Sequence, residues 1–144
     1  MMTSVASAIL LLLAAATAAT QIDAVKSERD LDKRAEMAAD LADRDFDAAR
    51  QAWQAGDWTK TLSELNEMKE SAELADTSLE QTTKQPRNNR HYKTVEMKLS
   101  NLIRRVDDFR QGVDYEQRDA VNRIETRLQE LHDKILDAVM TRRR

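Results

Sequence analysis

The chain has 144 residues, of which 34% are charged and only 4% aromatic, with two Gly, one Pro and no Cys. Without cysteine there are no disulfides, no thiolate metal sites, no thiol catalysis and no lipid carried on an N-terminal cysteine. Turn formers and strand-favouring residues are scarce, whereas Ala, Leu, Glu, Lys, Arg and Gln dominate, so the composition argues against a sheet protein and predicts an all-α fold.

Residues Val5 to Ala19 carry no charge, and the first charged side chain is Asp23. The run is shorter than the roughly 20 apolar residues a bilayer span needs, and it stops abruptly. This pattern predicts a signal peptide over residues 1–20, cleaved near Ala16-Thr17-Ala18, and therefore a periplasmic or extracellular protein. Met1 to Ser4 lack the Lys or Arg that usually opens such a signal, which leaves an uncleaved N-terminal membrane anchor as the alternative. Residues 21–144 then amount to one domain.

The first helix is expected from about Glu28 to Ala55, capped by Ser27, with an apolar stripe of Leu31, Ala35, Ala38, Ala42, Phe46, Ala49 and Trp53. Gly56 ends it, and Asp57 caps a second helix carrying Trp58, Leu62, Leu65, Met68, Ala72, Ala75 and Leu79. That helix is expected to reach residues 81–83, with Asp76 to Ser78 as a place where it frays or breaks. Residues 84–90 contain the only proline, Pro86, and read as the linker between two hairpins, 28–83 and 89–142. A third helix over 89–111 has the stripe Tyr92, Val95, Leu99, Leu102, Val106 and Phe109, and Gly112 stops it. Asp114 opens a fourth helix, with Gln117 completing a capping box. Its stripe, Val121, Ile124, Leu128, Leu131, Ile135 and Val139, alternates steps of three and four as a coiled-coil seam does. Asp119 with Arg123 and Glu130 with Lys134 are spaced for ion pairs along this helix. Four helices of matched length with tight turns at 56 and 112 predict an up-down-up-down four-helix bundle of two antiparallel hairpins; an elongated pair of hairpins or a dimeric coiled coil is the alternative.

Two local resemblances bear on this. Ala49, Gly56, Asp57, Trp58 and Thr61 resemble the turn of a tetratricopeptide repeat over residues 49–68. Asp45 stands where that family prefers Trp, and no second copy follows at the repeat's period of about 34 residues, so the resemblance implies a helical hairpin rather than a peptide-binding array. Val113-Asp114-Tyr115-Glu116-Gln117 resembles the Leu-Thr-x-x-Gln motif of small periplasmic helical chaperones of the Spy type, which implies a chaperone role; a capping box accounts for the same residues.

Residues 21–83 hold 16 acids and 8 bases, whereas residues 84–144 hold 10 acids and 15 bases. The simpler consequence is attraction between the two halves; the other is an anionic partner for the second half. In a bundle, Lys84, Arg87, Arg90, His91, Lys93, Arg142, Arg143 and Arg144 gather at one end, a candidate contact for an anionic membrane surface, an envelope polymer or an acidic protein. Trp53, Trp58, Phe109 and Tyr115 gather at the other end, where a protein partner or a second copy is expected to touch. Nucleic acid is not expected, since Tyr92 alone offers an aromatic at the basic end.

No catalytic chemistry is expected. His91 and His132 read as surface residues rather than metal ligands, because neither belongs to a metal-binding helix pattern. Two isolated glycines form no phosphate loop, and Asp107, Asp108, Asp114 and Glu116 lack the spaced ligands of a calcium loop. No cofactor or metal is expected. The function expected is protein–protein interaction or self-association in the cell envelope, with binding of anionic surfaces as the alternative.

Overall fold

The computed structural model describes residues 21–82 and 85–141, apart from the Arg87 side chain. The expected signal segment 1–20, Lys84 and Arg142–Arg144 lie outside the described residues. The described chain is all-helical: α1 (Leu31–Gln54), α2 (Trp58–Gln81), α3 (Arg90–Gly112) and α4 (Tyr115–Met140), with a 3₁₀ turn at Pro86–Asn88. Residues 21–26 form a short helical lead-in whose Ile22 and Val25 join the core.

The capping chemistry sets the boundaries and corrects two expectations. Ser27 does not cap α1; its hydroxyl donates to the Ala24 carbonyl and closes the lead-in. The N-cap is Asp30, which accepts from the Asp32 and Lys33 amides, so α1 starts three residues later than the apolar pattern suggests. At α4, Asp114 is the N-cap but makes no side-chain capping bond, and the Gln117 Oε1 is buried without a partner, so the capping box does not form. Arg118 instead donates to the Gln111 and Val113 carbonyls, joining the start of α4 to the end of α3.

Gly56 carries the only positive φ among the described residues, +76°. The Asp57 amide donates to Ala52 and the Gly56 amide to Trp53, both at 3.0 Å, the paired bonds of a Schellman turn. This closes the α1–α2 hairpin tightly. Ala35, Ala38, Ala42 and Ala49 on α1 and Ala72 and Ala75 on α2 are fully buried, and these two helices pack more closely than any other pair. Asp76 to Ser78, expected as a weak point, are helical; Asp76 and Ser78 are buried.

α1 packs on α2 and α3, and α4 packs on the same two partners, with the backbones of α1 and α4 held apart. Side-chain register gives the directions. Glu36 meets His91, Asp40 meets Lys98 and Asp47 meets Arg105, so α1 and α3 run the same way. Glu73 meets Arg127 and Glu80 meets Lys134, so α2 and α4 also run the same way. The hairpins therefore stack with parallel helices as neighbours, and α2 scarcely touches the α3 that follows it. In each ion pair between the hairpins among the described residues, the acid comes from α1 or α2 and the base from α3 or α4. The charge asymmetry of the two halves thus meets across this interface.

Candidate functional site

The aromatic end is built from the inside outward. Phe46 on α1 is fully buried, Phe109 on α3 lies edge-on to it at 5.8 Å, and Trp53 lies edge-on to Phe109 at 5.6 Å. Such perpendicular pairs place the positive ring edge on the negative ring face. The Arg105 guanidinium lies 4.9 Å from the Phe46 ring centre and also pairs with Asp43 and Asp47. Between α1 and α3 this leaves a groove of about 260 Å³ lined by Phe46, Arg50, Trp53, Gln54, Arg105, Asp108 and Phe109.

Trp53 is 36% exposed, although the apolar stripe of α1 places it in the core. It is the penultimate residue of α1, at the open end of the stripe, with Phe109 of α3 against its ring. Of the four aromatics expected together, the structure joins Trp53 and Phe109. Trp58 is half-buried against the core, and Tyr115, 85% exposed at the start of α4, does not line this groove.

At the opposite end, Arg90 and Lys93 are exposed, and the backbone of Arg87 lies in the 3₁₀ turn. His91 is engaged inside the protein: its Nδ1 lies 2.7 Å from Glu36. Nor is His132 a surface residue. Its ring bridges α4 to Glu96 of α3 at 2.8 Å, and only 12% of the side chain is exposed. Of the pairs expected along α4, Glu130–Lys134 is replaced, since Glu130 pairs with Arg127, and Lys134 with Asp76 and Glu80, while Asp119 and Arg123 form no ion pair among the described residues. Lys84 and Arg142–Arg144 lie outside the described residues.

Polar groups inside the protein went unread in the sequence. Asp45 is buried between α1 and α2, where the Ser71 hydroxyl donates to it at 2.9 Å. Burial, with the nearby Glu64 and Glu67 carboxylates, pushes Asp45 up to about 6. Asp76 is also raised by burial, opposed by Lys134. The Asn89 amide donates to the buried Asp32 at 2.9 Å while its oxygen caps α3, and the Tyr92 hydroxyl donates to the Leu79 carbonyl at 2.7 Å. The available signal was periodicity: Asp45 falls three and four residues from Ala42 and Ala49, on the core face.

Among the described residues no group of three or more His, Asp or Glu is placed to hold a metal ion, and no helix is long and apolar enough to cross a membrane. No protein-family model, curated protein or solved structure matches the chain.

Proposed function

We propose that the chain is an exported, non-catalytic, up-down-up-down four-helix bundle that binds a protein partner through the groove around Trp53. One observation carries this reading: a large aromatic side chain is 36% exposed yet held by the edge of Phe109, beside the exposed Arg50. Trp and Arg dominate binding hot spots because they add much contact area and directed hydrogen bonds when desolvated. A Trp already fixed by its neighbours loses little side-chain freedom on binding. Crosslinking in the native host, compared between the natural chain and Trp53→Ala or Arg50→Glu, tests this. A partner or second copy captured by the natural chain and lost from both variants supports the reading; identical capture by all three refutes it. The mass of the mature protein tests export, since an intact residue 1–20 segment contradicts cleavage.

A second reading rests on Arg90 and Lys93, exposed where α3 begins and in no ion pair. They support contact with an anionic surface, each worth about 1 kcal/mol near anionic lipid. Sedimentation with phosphatidylglycerol vesicles at low salt, lost on Arg90→Glu with Lys93→Glu, is the expected result. No sedimentation at low salt removes this reading.

A further inference from the structure

The ion pairs between α2 and α4 form a ladder with one faulty rung. Arg127 pairs with Glu73, and Lys134 with Asp76 and Glu80. The helices are parallel, so one turn before Glu73 and Arg127 in both lie residues 69 and 123. These are Lys69 and Arg123, two bases lining one groove between the helices, where the next positions along, Glu73 with Arg127 and Glu80 with Lys134, join an acid to a base. Neither is in an ion pair. Like charges facing each other across an interface are unfavourable until an anion lies between them.

The helices part at the same place. A groove of about 470 Å³ runs between α2 and α4, with Lys69, Arg123 and Arg127 along it. Its apolar lining is the half-buried Leu62 and Ala120 and the buried Ile124. Asn66 and one acid, Glu73, also line it, but Glu73 is already paired with Arg127, so the bases outnumber the acid over an apolar floor and complement an anionic amphipathic segment. The groove is open along its length, so a hydrocarbon tail laid in it stays wet on one side, whereas a helix covers it with one face and keeps its other face in water.

We propose that the α2–α4 groove binds an acidic amphipathic helix of a partner protein, with a carboxylate between Lys69 and Arg123 and an apolar side chain on Leu62, Ala120 and Ile124. The site is on the opposite side of the molecule from Trp53 and does not depend on that groove.

Two blocked peptides of about 16 residues with the same Leu stripe, one flanked by Glu and one by Lys, are titrated against the purified full-length protein by fluorescence anisotropy. The Glu peptide binds at about 50 mM salt and weakens at least about tenfold at 500 mM, while the Lys peptide does not bind. Lys69→Gln weakens the Glu peptide, and Lys69→Glu does so by at least about tenfold. Lys69→Glu also completes the ladder by pairing with Arg123, so its thermal midpoint rises by about 1–4 °C; binding is lost while stability is gained. Equal binding of both peptides, no binding of the Glu peptide at low salt, or unchanged affinity in both Lys69 variants overturns the proposal. So does a dimer that Lys69→Glu dissociates, or phosphatidylglycerol vesicles that bind through Lys69 while the peptide does not.

Discussion

The Ser71 hydroxyl donates to the Asp45 carboxylate from the facing helix, inside the closest-packed pair of helices in the protein. One hydrogen bond from a neutral donor does not offset loss of water around a charge, and Glu64 and Glu67 add repulsion. Arg44 is the attractive charge nearby, and the carboxyl is still raised to about 6. The folded state therefore holds this proton more tightly than the unfolded chain does. Stability from this group is fully present below the ordinary Asp range and is lost as pH rises through about 6.

Asp45→Asn keeps an acceptor for Ser71 and removes the charge. At pH 7 the variant is expected to be more stable than the natural protein by on the order of 1 kcal/mol. The difference shrinks as pH falls from about 6 to 4 and vanishes below. Urea unfolding at several pH values checks this, and a difference independent of pH contradicts it.

Gly56 holds the first hairpin through its left-handed backbone. With a φ of +76° and no atom close to where a Cβ would stand, Gly56→Ala is strained by conformation alone. The expected loss is about 1 kcal/mol, with peptide binding in the α2–α4 groove unchanged. A loss above about 3 kcal/mol in chemical denaturation would mean the whole turn rearranges.

The helices were legible because their apolar stripes have one period throughout, and Gly56 and Pro86 punctuate them. What one strand of sequence does not carry is which helix lies beside which. Asp32 and Asn89 are 57 positions apart, and their contact exists only because α3 starts beside the start of α1. His91 and His132 look solvated by local pattern for the same reason; Glu36 and Glu96, which partly cover them, come from other helices. Trp53 matched the stripe but lies at its end, where coverage depends on α3. The unpaired Lys69 and Arg123 became visible only once parallel register placed them side by side.

Asn89 joins three parts of the protein, which makes its amide and oxygen separable. Asn89→Ala loses the cap on the His91 amide and the donor to Asp32, at an expected cost of about 2 kcal/mol. Asn89→Asp retains capping ability but sets a second carboxylate against the buried Asp32. Its destabilisation is expected to persist at pH 7 and to ease on acidification, whereas that of Asn89→Ala does not ease. Parallel pH profiles for the two variants would contradict this division of roles.

Phe46, Phe109 and Trp53 form one aromatic chain from core to solvent, and the energetic weight of its members should fall in that order. Phe46 is fully buried, so Phe46→Ala leaves a cavity and is expected to cost about 3–5 kcal/mol. Trp53 is partly in water already and loses chiefly its edge contact with Phe109, so Trp53→Ala is expected to cost about 1 kcal/mol. A side chain this large with so small a folding contribution is free to act at a surface. With Trp58→Phe as background, the emission of Trp53 reports the groove directly: a bound partner shifts it to shorter wavelength and shields it from iodide. Measured stability losses of equal size at Phe46 and Trp53 would make Trp53 a core residue and remove the basis for binding there.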